Sequence, residues 1–436
     1  MPHADHRDLC ALEILDSRGH PTLQVTLRLD DGTSSTASVP SGASTGAHEA
    51  VELRDGDPAR YGGRGVRKAI SHVEGEIAAA LRGMAVDDQE RIDQIMIELD
   101  GSNNKARLGA NAILGVSMAT ARVRAKIMDL PLYASLGDRD ARQLPMPCMN
   151  VLNGGKHADS GLDFQEFMIV PVGAPSFAEA MRYGSQTYAA LRKLLHDRKL
   201  ATSVGDEGGF APALPDNEAA CELIVEAITA AGFRPGEDVA IALDPAASSF
   251  GSDGSYNLER SGKGHLGRAA MLALYGRWID AYPIVSIEDG FAEDDWQGFQ
   301  SQMTAQGDRI QIVGDDLLVT NPRFIARAIE QRAVNALLVK LNQIGTVTEA
   351  IAATRLAQQA GWAAMVSHRS GETTDDFIAD FAVALSAGQI KSGAPCRGER
   401  LVKYNRLIAI ERELGAAASF DNPFTRKVPK PSSASA

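Results

Sequence analysis

The chain has 436 residues, 44% of them hydrophobic and 23% charged, and a net charge of −12. A chain of this length buries a large core and is expected to form two domains. The acidic balance argues against non-specific nucleic-acid binding, which needs a basic face, and suits a protein that attracts divalent cations.

Residues 9–40 alternate apolar and polar and are punctuated by turn signals at Ser17–Pro21 and Asp30–Gly32. This pattern predicts a three-stranded antiparallel meander. Val66–Arg82 and Asp87–Glu98 read as amphipathic helices, and the alanine-rich Leu108–Met128 as a largely buried one. The first region is therefore α+β and ends near Gly137–Leu144. Two strands, Met146–Val151 and Phe164–Val170, follow, joined by a glycine-rich loop. Helices are predicted at Phe177–Asp197 and Asn217–Ala231.

Six short apolar runs then each end in a chemically capable residue. They end at Asp244, Glu288, Asp315, Lys340, His368 and Lys391. After a first step of about 44 residues these ends recur roughly every 25, the length of a buried parallel strand with its returning helix. The order β-β-α-α followed by six βα units makes an eight-stranded, TIM-like α/β barrel with an irregular start. Its strand ends converge on one face, where barrel active sites lie. The boundaries expected are 1–140 for an N-terminal α+β lid domain, 141–427 for the barrel, and 428–436 for a disordered tail rich in Pro, Ser and Ala.

Asp244, Glu288 and Asp315 are the metal candidates, because hard cations such as Mg²⁺ take oxygen ligands. A lone strand-end acid often caps the next helix, but three on successive strands point to a shared site. Asp289 and Asp316 cap or support them. Lys340 ends a buried strand; held near Mg²⁺ and other cations, its ammonium is expected to have a lowered pKa and to be able to act as a base. Lys391 suits an anionic substrate. The loop Val204–Phe210 presents Glu207 between glycines as a general acid. Gln165 and Glu166 are neighbours on a strand, so only one should face inward unless the strand end is irregular. Arg369 offers a fork for phosphate or carboxylate, and Ser370 a donor. His157 lies on a loop and could hydrogen-bond substrate. Ser41–Gly46 is a small flexible loop able to close over a site, without the lysine or spacing of a P-loop.

Cys10, Cys148, Cys221 and Cys396 form no CxxC pair, which fits a reducing compartment. Met1–Leu9 lacks an apolar signal segment, and no apolar stretch approaches the roughly 18 residues of a membrane span. The expectation is a cytoplasmic protein with no membrane or nucleic-acid partner.

Taken together, these motifs resemble the enolase family. The resemblance runs from Glu13–Gly19 to Lys403–Asn405 and includes Val39–Gly46, Leu108–Val116, Asp163–Met168, Gly205–Phe210 and Ser367–Glu372. It implies a lid domain on a β2α2(βα)6 barrel and the Mg²⁺-dependent, reversible dehydration of 2-phosphoglycerate to phosphoenolpyruvate. It implies metal ligation by Asp244, Glu288 and Asp315, with Ser44 reaching a second Mg²⁺. Lys340 matches the base, and Glu207, assisted by Glu166, the acid that expels the hydroxyl. His157, Gln165, His368, Arg369, Ser370 and Lys391 match positions around the substrate. A homodimer or larger homo-oligomer is implied as well. Departures from the family pattern fall at His20, Asp159–Leu162, Ser249, Gly290, Thr374–Asp376, Pro395–Glu399 and Tyr404–Arg406. They leave open an enolase homologue recruited to biosynthesis, such as a carboxyphosphonoenolpyruvate synthase of a phosphonate pathway, and, with less support, a non-catalytic protein on the same scaffold.

Overall fold

A computed structural model describes residues 6–43, 46–137, 141–158 and 160–424. Ser44, Asp159 and the tail 428–436 lie outside these residues. In the N-terminal region β1 (His6–Leu15), β2 (Pro21–Leu29) and β3 (Ser34–Ser38) form the antiparallel meander in that order. Alternate side chains of β2, from Leu23 to Leu29, are fully buried. Helical segments α1 (Arg67–His72) and α2 (Ala78–Leu81) are joined by a π turn over Val73–Ile77, so the predicted helix is continuous but locally widened. α3 (Gln89–Asp100) starts on an Asp88 cap, and α4 (Ala110–Ile127) is buried along most of its length. Gly115 lets α4 lie against the sheet, since a Cβ there would stand 2.6 Å from Val25 Cγ2. The short α5 (Leu132–Leu136) leads out of the region.

A two-residue strand, β4 (Gln143–Leu144), precedes the barrel. The first barrel strands are β5 (Met146–Asn153) and β6 (Glu166–Val170), followed by α6 (Phe177–Asp197) and α7 (Asn217–Ala230). β7 (Ala240–Asp244) is followed by a small sheet of β8 (Gly251–Ser252), β9 (Ser255–Leu258) and β10 (Gly264–Gly267), which the sequence pattern does not predict. Then come α8 (Arg268–Ala281), β11 (Ile284–Glu288), α9 (Trp296–Gln306), β12 (Gln311–Gly314) and α10 (Pro322–Gln331). The chain continues through β13 (Ala336–Val339), α11 (Leu341–Ile344), α12 (Val347–Gln359), β14 (Ala363–Ser367), α13 (Phe377–Ala384), β15 (Gly388–Lys391) and α14 (Gly398–Leu414). β16 (Ser419–Phe420) returns to pair with β4.

The barrel closes in the order β11-β12-β13-β14-β15-β5-β6-β7. All neighbours are parallel except β6, which runs antiparallel to both β5 and β7. Met146, Met168, Ala240, Val313, Leu338 and Met365 fill the interior, and a larger apolar layer lies between strands and helices. Helices α6, α7, α9, α10 and α12 start on side-chain caps from Ser176, Asp216, Asp295, Asn321 and Thr346. Capping is thus done by residues other than the strand-end acids, which are left for another purpose.

The N-terminal region docks over the barrel mouth through polar contacts. Asp93 accepts from the Thr348 amide at 3.0 Å and its hydroxyl at 2.6 Å. Arg122 pairs with Asp375 and Asp376. The Ser41 and Gly371 backbones exchange hydrogen bonds of 2.8 and 2.9 Å. Gly371 is required for this approach, because a Cβ there would lie 2.1 Å from Asp16 Oδ2. No helix among the described residues is long and apolar enough to cross a membrane.

Candidate active site

The reversed β6 explains how both of its leading residues reach the mouth. Glu166 opens the strand and pairs in register with Asp244, the last residue of β7. Gln165 precedes the strand, so the strict alternation of the pleat does not apply to it, and both line the same cleft. That cleft is also lined by His157, Glu207, Asp244, Asp315, Lys340, His368, Arg369, Ser370 and Lys391. Glu288 ends β11, is buried, and reaches the group through Lys391.

Lys391 Nζ lies 2.8 Å from Asp244 Oδ2, 2.9 and 3.0 Å from the two Glu288 oxygens and 3.3 Å from Glu166 Oε2. Lys340 Nζ is paired directly with Asp315, whose other oxygen accepts from Gln343 Nε2 at 2.8 Å. Behind them Asp289 accepts the amides of Asp315 and Asp316 at 2.9 and 2.8 Å, the supporting role expected for it. Glu207 sits on a loop tied to β5 by the Phe210 amide, 2.9 Å from Val151 O. Its Oε2 accepts from Asn150 Nδ2 at 3.0 Å and lies 3.5 Å from His368 Nε2. His157 Nδ1 is 3.8 Å from an oxygen of Glu166 and from one of Glu207.

Arg369 forks onto Glu49 at 3.0 and 3.1 Å and donates to Asn342 Oδ1 at 2.9 Å. Ser370 Oγ accepts from the Ala43 amide at 2.7 Å and from Arg18 at 3.2 Å. Asn150, Gln343, Glu49 and Arg400 are site residues that motif reasoning missed. Asn150 left a signal, being an amide on an apolar strand; Glu49, Gln343 and Arg400 look like ordinary surface residues in sequence.

The electrostatics are those of crowded buried acids. Burial, then the Asp244 charge, pushes Glu288 well above the usual carboxylate range. Burial and neighbouring carboxylates do the same to Asp289, and raise Asp316 to about 8. Asp315 goes the other way: burial opposes its charge, but the Lys340 ammonium overrules it. The lowering expected of Lys340 is tied to Mg²⁺ beside it; its protein neighbours alone act the other way. Burial does act downward, but the touching Asp315 carboxylate outweighs it and holds Lys340 above the ordinary lysine value. Lys391 is likewise pushed down by burial and pulled well up by Asp244, Glu166 and Glu288.

Glu166 is pushed well up, by burial and then by the Glu207 charge. Burial would also raise Glu207, yet the facing His368 and His157 pull it well down. Burial in turn lowers His157 and lowers His368 to about 4. A depressed Glu207 and a neutral His368 pull against each other, since an uncharged ring gives little Coulombic help. Hydrogen bonding favours the neutral ring, because Arg400 NH1 donates to His368 Nδ1 at 2.6 Å and a guanidinium accepts nothing. With Glu166 pushed up and Glu207 held down, a proton on this pair sits mainly on Glu166.

Among the described residues two groups bring three ligand atoms within 4.8 Å of one another: His157, Glu166 and Glu207, and Asp289, Asp315 and Asp316. The predicted set Asp244, Glu288 and Asp315 is not one of them. Lys391 stands between Asp244 and Glu288, and Lys340 against Asp315, so ammonium groups supply the positive charge there. The donor chemistry still fits a hard divalent cation: Asp244, Glu288 and Asp315 are buried oxygen donors, and Glu288 is raised by burial and then by the neighbouring Asp244, so added positive charge is favourable.

A family model described as the enolase N-terminal domain matches residues 7–136, and one described as the enolase C-terminal TIM barrel domain matches residues 141–428. The chain is 63% identical over 410 residues to "Enolase 1" of Methylococcus capsulatus, spanning 94% of this chain and 97% of that protein. It is 58% identical to "Enolase" of Desulfotalea psychrophila over 94% of this chain and 97% of that one. It is 56% identical to "Enolase" of Beutenbergia cavernae, over 94% and 96% respectively.

Proposed function

The chain belongs to the enolase family, and from that premise we propose how its side chains divide the work of the reaction. It is a carbon–oxygen lyase, a phosphopyruvate hydratase that interconverts 2-phospho-D-glycerate and phosphoenolpyruvate. The observation that carries the division of labour is one cleft in which a lysine, Lys340, and two carboxyls, Glu166 and Glu207, line the same space.

Dehydration requires a proton to leave C2 and a hydroxyl to leave C3. Lys340 Nζ takes the C2 proton. To do so it must be a free amine, so its hold on Asp315 has to loosen before turnover. Glu166 passes its proton to Glu207, which delivers it to the departing hydroxyl, and the hydroxyl leaves as water. Arg369 and Ser370 hold the phosphate, the guanidinium matching its oxygens as a fork. His157, Gln165, His368 and Lys391 complete the substrate contacts.

Enolases are generally Mg²⁺-dependent. Asp244, Glu288 and Asp315 would hold one ion, and Ser44 would reach a second. When bound, Mg²⁺ supplies Lewis acidity that absorbs charge developing on the substrate carboxylate. Cytoplasmic residence, assembly as a homodimer or larger homo-oligomer, the 140/141 domain division and a disordered tail belong to the same proposal. The scattered free cysteines support a reducing location.

The reading as a recruited biosynthetic enzyme is not favoured, since relatives at 56–63% identity are named enolases. Several departures serve local structure. His20 bonds Arg64 at 2.6 Å, the Gly290 carbonyl accepts from Tyr275, and Tyr404 donates to Gly393 O. Ser249 lines a different cleft, with Lys156, Asn257 and Arg260.

The test is solvent exchange of the substrate C2 proton. Lys340→Ala should reduce it by about 10²-fold or more, the range of a positioned base. Exchange at the wild-type rate would remove Lys340 from that role.

A further inference from the structure

We propose that Arg400 is a positioning residue that fixes the tautomer of His368 and so determines what His368 can do for Glu207. The proposal rests on the reading of Glu207 as the acid. Arg400 lies on α14, fully buried. Its NH1 donates to His368 Nδ1 and to Arg369 O, both at 2.6 Å. Its NH2 donates to Ser370 O at 2.6 Å and to Asp206 O at 2.9 Å. One guanidinium thus ties the loop carrying His368, Arg369 and Ser370 to the loop carrying Glu207.

A guanidinium has no acceptor, so His368 Nδ1 must present its lone pair to NH1. In a neutral imidazole the single N–H then sits on Nε2. Nε2 stands 3.5 Å from Glu207 Oε2 and makes no hydrogen bond among the described residues. His368 therefore presents an N–H, not a lone pair, at the ring nitrogen nearest Glu207. It can stabilise the Glu207 carboxylate but cannot take the proton that Glu207 must give to the leaving hydroxyl. A second proton on the ring would have to enter at Nδ1, against the Arg400 charge, and burial opposes it as well. Without Arg400 the ring could carry its hydrogen on Nδ1 and turn a lone pair toward Glu207. It would then accept from the protonated acid and hold back its proton.

A purely structural role, stapling two loops, would lower stability without touching the tautomer. The full-length protein labelled with ¹⁵N-histidine separates the two, because ¹⁵N shifts of the ring nitrogens report which one carries hydrogen. The His368 signals are identified by their loss in His368→Gln. The wild type is expected to show the Nε2–H form through pH 5–8. Arg400→Met is expected to lose that form, with a kcat loss of about 10²-fold. Arg400→Lys, which still offers only a donor, should keep the Nε2–H form, and it serves as the variant if Arg400→Met does not fold. An Nδ1–H or doubly protonated ring in the wild type overturns the inference, and so does an unchanged tautomer in Arg400→Met. The spectra need no substrate, so they stand apart from the role of Glu207. Full turnover by Glu207→Gln would refute that role while leaving the tautomer assignment in place.

Discussion

Among the described residues Lys391 is the single lysine or arginine in contact with Asp244, Glu288 and Glu166, at 2.8 to 3.3 Å, and all four side chains are almost fully buried. Lys391→Met keeps the stem and removes the charge, so the carboxylates face one another uncompensated. Breaking a buried pair by removing one partner costs about 3–5 kcal/mol. At about 2 °C per kcal/mol for a chain of this size, the melting temperature in chelator should fall by about 6–10 °C. The loss should also depend on pH. Glu288 and Glu166 are already raised above their unfolded values, and without Lys391 they rise further. An acid raised in the folded state binds more protons folded than unfolded, so its contribution is intact at low pH and is lost as pH rises. The deficit should therefore be larger at pH 8 than at pH 6. Mg²⁺ should restore more stability to the variant than to the wild type, because the freed oxygens gain more from a divalent cation. The assay is calorimetric unfolding at both pH values, with chelator and with Mg²⁺. A melting temperature within about 1 °C of wild type at both would refute the view that Lys391 neutralises this cluster.

Asp315→Ala should raise the Mg²⁺ concentration needed for activity by about 10²-fold or more, and an unchanged Mg²⁺ titration would remove Asp315 from the ligand set. Glu49→Gln weakens the fork that occupies Arg369, so inorganic phosphate should bind about 10-fold more tightly by titration calorimetry, and equal affinity would separate Glu49 from the phosphate position. His368 is held at about 4 by burial, whereas the unfolded ring titrates near 6.5. The folded state refuses a proton that the unfolded chain accepts, so up to about 3 kcal/mol of stability present above pH 6.5 is lost as pH falls toward 4. His368→Gln should flatten denaturant-derived stability over that range; parallel curves for the two proteins would contradict this.

Much of the barrel is legible because buried parallel strands are short, aliphatic and end where chemistry begins. The runs ending at Asp244, Glu288 and Lys391 are strands that end on those residues. The two helices after the first strand pair are equally plain, as their polar faces are regular and each starts on a capping residue. The sheet of β8, β9 and β10 was not legible, since strands of two to four residues are shorter than any pattern that marks them. The direction that the protein's own groups give the Lys340 shift was not legible either. It depends on Asp315, 25 residues away in sequence, touching the ammonium. Arg400 is the sharpest case: on α14 it reads as one helix cation among several, and only the folded chain shows its side chain inside the site. Sequence spacing locates strand ends, whereas charge balance among them is set by three-dimensional contact.

The most direct measurement is phosphoenolpyruvate formation from 2-phosphoglycerate by the purified protein, with Mg²⁺ and with chelator. Fast turnover that chelator abolishes and Mg²⁺ restores is the expected result. A folded, Mg²⁺-binding protein that forms no phosphoenolpyruvate would contradict the assignment of this cleft to that dehydration.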